Sequence, residues 1–178
     1  MGKNIVLIGF MATGKTTIGK QVAAQLNYEF IDTDQLIEIQ EGMDIPEIFR
    51  RYGEPYFRHL ESKVARQLAE VDHKVISTGG GFPLNPDNLS VFRPDSLIVL
   101  LTAEPEVIFQ RVQGQTGRPL LNDPDPLGRI KKLLAEREAF YRKADVTVDT
   151  GAGTPEEVSR KIIDYWRKRR RGDGAGYA

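Results

Sequence analysis

Nine consecutive residues constrain this chain more than any other feature: Gly9-Phe10-Met11-Ala12-Thr13-Gly14-Lys15-Thr16-Thr17. They complete the pattern G-x-x-x-x-G-K-[ST]. The apolar run Ile5-Val6-Leu7-Ile8 precedes them, and Ile18, Val22 and Leu26 follow at the four-residue spacing of a helix. A strand that feeds a glycine-rich loop and then a helix presents backbone N–H groups and the positive end of a helix dipole to one anion. The segment from Ala12 through Thr13, Gly14, Lys15, Thr16 and Thr17 is therefore read as wrapping the phosphates of a nucleoside triphosphate. Lys15 would reach the β- and γ-phosphates, and the Thr16 hydroxyl would ligate Mg²⁺.

Apolar runs alternate with helical patterns along the whole chain. Strands are predicted near 4–8, 29–32, 74–78, 96–101 and 145–149, and helices over 15–26, 33–42, 44–52, 54–71, 86–92, 104–113, 126–143 and 154–171. The third and fourth strands are nearly continuous apolar runs, as befits parallel strands covered on both faces. Asn85-Pro86, Asp125-Pro126 and Thr154-Pro155 each place proline just after a capping residue. The alternation implies an α/β three-layer architecture with right-handed crossovers. Two stretches break the rhythm. Residues 33–72 hold more helix than one crossover needs, and 114–125 form a Gly/Pro-rich loop of the kind that is functional or disordered when this long.

Composition excludes several classes of function. Acidic and basic residues balance at 25 each, giving no general case for nucleic-acid binding. The local exception, Arg167-Lys168-Arg169-Arg170-Arg171, is read as a solvated helix end, and 172–178 as a disordered tail. With no cysteine, disulfides, thiolate metal sites and a cysteine nucleophile are ruled out. Met1 to Asn4 lead directly into the first strand, so no signal peptide is expected. No apolar stretch approaches the about 20 residues that span a bilayer, and a cytoplasmic monomer is expected.

Other residues carry candidate chemistry. Asp32-Thr33-Asp34 end the second strand, where ligands of open α/β sheets bind. One carboxylate could serve Mg²⁺ and the other accept a proton, or either could simply cap the next helix. Arg58 and Glu61 share a helical face, as a surface pair or as a guanidinium held for an anionic substrate. Gly79-Gly80-Gly81 after the third strand permit close backbone approach to a ligand, or a flexible turn. Arg118 in the irregular loop could close over the phosphates or stay in solvent. Arg111 and Arg137 could reach nucleotide or substrate, although each alone suits a surface ion pair. His59 and His73 show no partner pattern, and Trp166 reads as a packing residue.

The ordered set of motifs resembles the shikimate kinase family across residues 4–166. It comprises Gly9–Thr17 with Gly19-Lys20, Phe30-Ile31-Asp32-Thr33-Asp34, Ile45-Pro46-Glu47-Ile48-Phe49, Gly53-Glu54 with Phe57-Arg58 and Glu61, Thr78-Gly79-Gly80-Gly81, Arg118-Pro119-Leu120-Leu121, and Arg137 with Tyr141 and Ala144. The resemblance implies a single P-loop kinase domain over 1–171, similar to the nucleoside-monophosphate kinases. Its parallel sheet would have five strands in the order 2-3-1-4-5, with a helical substrate-binding segment about 33–61 and a lid about 113–125. It further implies that Asp34, Arg58, Gly80 and Arg137 bind shikimate, with Gly79 and Gly81 lining the pocket and Asp34 as base. Thr16 and Asp32 would serve Mg²⁺, Arg118 would close with the lid, Arg111 would stack on adenine, and Pro155 would flank it.

The activity so implied is Mg²⁺-dependent transfer of the ATP γ-phosphoryl group to the 3-hydroxyl of shikimate, in chorismate and aromatic amino acid biosynthesis. A same-fold kinase for gluconate or a cyclitol is the nearest alternative, and a non-catalytic nucleotide-binding module the next. One departure bears on the phosphate loop: Ala12 stands where the family usually carries glycine, and its methyl group is tolerable there if its φ is negative. Ser77 for alanine before the glycines is a small-for-small change.

Overall fold

The computed structural model describes residues 4–93, 95–113 and 123–171. β1 (Ile5–Ile8) is the axis of the fold, every one of its residues fully buried. It pairs in parallel with β3 (Lys74–Ser77) on one side and β4 (Leu97–Thr102) on the other. β2 (Glu29–Asp32) and β5 (Val146–Asp149) complete the order β2-β3-β1-β4-β5. Near-continuous apolar composition in β1, β3 and β4 follows from this central position: both faces are covered, so no residue can point to water. β5, at the edge, alternates buried and exposed instead.

Helices cover the two faces with separate cores. α1 (Lys15–Leu26) and α7 (Pro155–Arg171) pack on one face, where Ile18, Val22, Ile162 and Trp166 meet Ile5, Leu7, Val99 and Leu101. On the other, α2 (Thr33–Glu41), α3 (Ile45–Ala69) and α4 (Pro86–Ser90) bury Ile37, Ile48, Leu60, Val64 and Leu89 against Val6, Ile8, Ile76 and Ile98. α5 (Pro105–Gln113) and α6 (Pro126–Tyr141) enclose a smaller cluster of Phe10, Ile108, Val112 and Ile130 beneath the phosphate loop. Asn4, fully buried, ties the base together. Its amide donates to the carbonyls of Leu68 and Val71, and its oxygen accepts from Lys74 N–H.

The two predicted helices 44–52 and 54–71 meet at a kink within α3, at Gly53, whose φ of 79° and ψ of 173° only glycine adopts cheaply. Pro55, two residues on, then sits in the first turn of the second half, where its missing N–H costs nothing. The predicted proline starts are capped as expected. Asn85 accepts from Asp87 N–H, Asp125 from Gly128 N–H, and Thr154 exchanges bonds with Glu157 in a capping box. One short 3₁₀ turn, Phe82–Leu84, was not anticipated; it carries the chain from the glycines into α4. Among the described residues no helix is long and apolar enough to cross a membrane. Within the basic run, Arg169 lies 3.8 Å from Asp145, while Arg167, Lys168, Arg170 and Arg171 are exposed. The predicted tail 172–178 lies outside the described residues.

Trp166, 1% exposed, fills the space between α7 and the sheet. Trp166→Ala is expected to lower unfolding free energy by about 3–5 kcal/mol, measured by urea denaturation.

Candidate active site

All the candidate residues that the structure describes gather at the C-terminal ends of the strands, around the point where β1 separates β3 from β4. The loop after β1 curls back so that Lys15, at the first turn of α1, donates from Nζ to the carbonyls of Gly9 (2.9 Å) and Phe10 (2.8 Å). Thr13 Oγ1 closes the same turn on Phe10 O at 2.8 Å. Gly14 caps α1 in the left-handed region, at φ 90°.

Ala12 departs from expectation. Its φ is +59°, so the negative value that would make alanine harmless is not adopted. The loop requires a left-handed residue here, and alanine meets that requirement at a cost of about 1 kcal/mol relative to glycine. Its carbonyl accepts a hydrogen bond from Arg111 Nη1 at 3.1 Å.

After β2, Asp32 caps the next helix with one oxygen and turns the other to the phosphate loop. Oδ1 accepts from the N–H groups of Asp34 (3.0 Å) and Gln35 (3.4 Å), capping α2, while Oδ2 accepts from Thr16 Oγ1 at 3.5 Å. This oxygen pair suits Mg²⁺, which takes one or two protein oxygens and fills its remaining positions with water and phosphate. Among the described residues no cluster of three or more His, Cys, Asp or Glu could cage a metal by itself. Asp34, in the first turn of α2, points across to the glycines: a Cβ on Gly79 would stand 2.7 Å from its Oδ1. Burial pushes its carboxyl from 3.8 up to about 6, helped by repulsion from Asp32 and opposed by Lys15 and Arg58.

Arg58 and Glu61 face inward from the second half of α3. Arg58 Nη1 donates to Glu61 Oε2 at 2.8 Å and Nη2 to Glu54 Oε1 at 2.8 Å. A Cβ on Gly81 would lie 2.5 Å from Arg58 Nη1, so the third glycine is needed to let the guanidinium pass. Glu61 is 1% exposed, and burial raises its carboxyl to about 6 despite the bonds from Arg58. Arg137 and Tyr141 reach in from α6. Arg137 Nη1 donates to Gly80 O at 3.2 Å and Tyr141 Oη to the same oxygen at 3.0 Å, while the Arg137 guanidinium lies 5.2 Å from the centre of the Phe10 ring. A 290 Å³ cavity joins Ala12 and Gly14 to Thr17 of the loop with Asp32, Asp34, Gly79 and Gly80. A second, of 370 Å³, lies beyond Ala12 and is walled by Arg111, Thr150 and Pro155.

A family model for shikimate kinase matches residues 11–167. The chain belongs to the shikimate kinase family. A shikimate kinase of Caldanaerobacter subterraneus subsp. tengcongensis is 50% identical over 166 residues, covering 93% of this chain and 97% of that protein. Among solved structures, shikimate kinase from Acinetobacter baumannii in complex with shikimate superposes with a TM-score of 0.87 at 33% identity, covering 96% of both chains. That of Aquifex aeolicus does so with 0.82 at 39%, covering 95% of this chain and 99% of the other. The sheet order agrees with the architecture expected of the family.

Of the residues singled out beforehand, only Arg118 and the lid segment around it lie outside the described residues. Three contributors to the site had not been singled out. Thr33 Oγ1 accepts from Gly79 N–H at 3.2 Å, Phe10 supports Arg137, and Thr150 holds Arg111. Thr33 lies between two aspartates that drew attention away from it; nothing in the sequence marks the other two. His59 stays outside the site, and His73 packs edge-on against the Tyr28 ring.

Ala12→Gly should raise the melting temperature by about 2–4 °C, read by calorimetry on the ligand-free protein. Gly81→Ala should instead displace the Arg58 guanidinium, detectable as loss of shikimate affinity with ADP affinity retained.

Proposed function

We propose that the protein transfers the γ-phosphoryl group of ATP to the 3-hydroxyl of shikimate, giving shikimate 3-phosphate and ADP, with Asp34, Arg58 and Arg137 recognising the acceptor. One observation carries this reading: Asp34 and two of the three glycines line the same cavity as Lys15 and Thr16, so acceptor and phosphates can meet in line. A planar carboxylate suits two guanidinium groups, and Arg58 and Arg137 reach the glycine segment from opposite helices. An uncharged cyclitol would leave both cations without a purpose. Gluconate, flexible and open-chain, would have to give up more conformational freedom to place its carboxylate and a hydroxyl together.

Asp34 is built for proton acceptance. None of the described residues hydrogen-bonds its buried Oδ1, which suits it to take a bond from a substrate hydroxyl. As that oxygen attacks the γ-phosphorus and the bond to the bridging oxygen of ADP breaks, the hydroxyl proton passes to Asp34. A carboxyl near 6 is a better base at neutral pH than one near 4. Lys15 turns from the loop carbonyls to the transferring phosphate, stabilising its charge. Thr16 and Asp32 would hold Mg²⁺, which supplies charge neutralisation of the β- and γ-phosphates. Arg118, to which the resemblance gives a place over the phosphates, lies outside the described residues. Arg111 and Pro155 take the adenine between them in the second cavity, which they line. The proposal takes the protein as a cytoplasmic monomer, and among the described residues no helix is long and apolar enough to cross a membrane.

ADP release coupled to a reporter, run with shikimate, gluconate and quinate, tests the acceptor: shikimate alone should support turnover. Lys15→Ala should abolish it with every acceptor. Arg58→Ala should raise KM for shikimate about 30-fold or more and leave the ADP dissociation constant unchanged; an unchanged KM would sink the carboxylate assignment. The pH profile of kcat/KM should rise through about 6 as Asp34 ionises. Because its folded-state value is raised, Asp34 favours folding at low pH and loses that contribution as pH rises from about 4 through about 6. Asp34→Asn should therefore stabilise the fold at pH 7 more than at pH 4.

A further inference from the structure

The left-handed Ala12 poses a mechanical question, since a loop that cradles phosphates must hold a backbone shape that alanine disfavours. Were the loop free, rotation about the N–Cα bond of Ala12 could return residue 12 to negative φ, and that rotation would carry the Ala12 carbonyl with it. That movement would rotate neighbouring N–H groups away from the anion they serve, and the cradle depends on their convergence.

One connection opposes it. The Ala12 carbonyl accepts from Arg111 Nη1 at 3.1 Å, and Arg111 is itself fixed by Thr150, through Nη1 to Oγ1 at 3.0 Å and Nη2 to the Thr150 carbonyl at 2.7 Å. Thr150 is only 4% exposed. Its N–H and its hydroxyl both donate to Thr102 O, at 2.8 and 3.0 Å, at the end of β4. A continuous chain of hydrogen bonds thus runs from the C-terminal end of β4, through a side chain just past β5, to the strained residue of the phosphate loop. Arginine suits the middle link because its planar fork engages three acceptors within its own plane, leaving both faces open to an aromatic ring.

We propose that Thr150 is a positioning residue for nucleotide phosphates, holding Arg111 so that Arg111 can hold the left-handed peptide of Ala12, and that this chain needs the strap because residue 12 is not glycine. With glycine at position 12 the positive φ would carry little penalty, and the loop would keep its shape with the strap cut. The proposal rests on the reading of this loop as the nucleotide site.

The test is a double-mutant cycle on ADP affinity by titration calorimetry, using wild type, Thr150→Val, Ala12→Gly and the double variant, each shown to be folded by its thermal transition. Thr150→Val keeps the buried shape and removes only the hydroxyl. With Ala12 present it should weaken ADP about fivefold, the loss of one or two partly buried hydrogen bonds, and raise KM for ATP while kcat at saturation stays near wild type. In the Ala12→Gly background the same change should weaken ADP less than twofold, and Thr150→Ser should restore wild-type affinity in the Ala12 chain. Equal penalties in the two backgrounds, or none with Ala12, would overturn the strap. Failure of the wild-type protein to bind ADP at all would overturn the nucleotide assignment instead, and the two failures are told apart by that first titration.

Discussion

Lys15 anchors the site: its ammonium, largely withdrawn from water, bonds the carbonyls of Gly9 and Phe10 and so holds the loop closed on itself. A buried cation of this kind is tolerable only where carbonyl dipoles replace its hydration. The loop supplies those dipoles because β1 ends here, fully buried between β3 and β4, and the chain must reverse direction before α1 can pack on the sheet. The same reversal points backbone N–H groups outward at the anion site. Backbone satisfaction of the lysine and presentation of the phosphate cradle are two results of one turn.

Around that turn the electrostatics are deliberately incomplete. Asp34 and Glu61 are both buried and both shifted toward the neutral form, and each has one oxygen without a hydrogen-bond partner among the described residues. Arg58 lies against Glu61 and Glu54, so its charge is already engaged by carboxylates before any substrate arrives. In isolation such an arrangement costs stability, since desolvating each ion offsets much of the attraction between them. In the proposed reaction it becomes favourable when the acceptor brings its own carboxylate to the arginines and its hydroxyl to Asp34. The site is complementary to a ligand rather than to itself.

Much of this was legible in the sequence because the signals are local or periodic. The parallel sheet followed from unbroken apolar runs, the helix starts from capping residues before proline, and the phosphate loop from glycines flanked by strand and helix. Gly53 marked the break in α3, since no other residue type takes its φ and ψ cheaply. Pairings between distant segments were harder to see. The reach of Arg137 onto Phe10 and of Arg111 onto Thr150 spans long stretches of chain, and neither partner has a spacing that would betray it. The backbone of Ala12 was misjudged for a related reason. A G-x-x-x-x-G-K-[ST] pattern fixes the glycines it names but says nothing of the sign of φ between them, and that sign is set by how the loop folds around Lys15.

The unfavourable features of the molecule are not spread evenly. The left-handed Ala12 and two carboxylates pushed toward neutrality, each with one unpartnered oxygen among the described residues, lie at the C-terminal ends of the strands. At the opposite end Asn4 satisfies three backbone groups and Trp166 fills its space, with only the buried Trp166 Nε1 and Tyr28 Oη groups left unpartnered among the described residues. Local rules are expected to fail where function demands it, and the rest of the fold must then be stable enough to hold the exceptions. Here the fully buried β1 does both jobs, since the strand that anchors the two cores is the one that ends in the strained loop. Easing the strain at residue 12 therefore adds stability without touching either core, while weakening a core would loosen the loop as well. That asymmetry lets an alanine persist where glycine would be easier, provided something outside the loop holds its peptide in place.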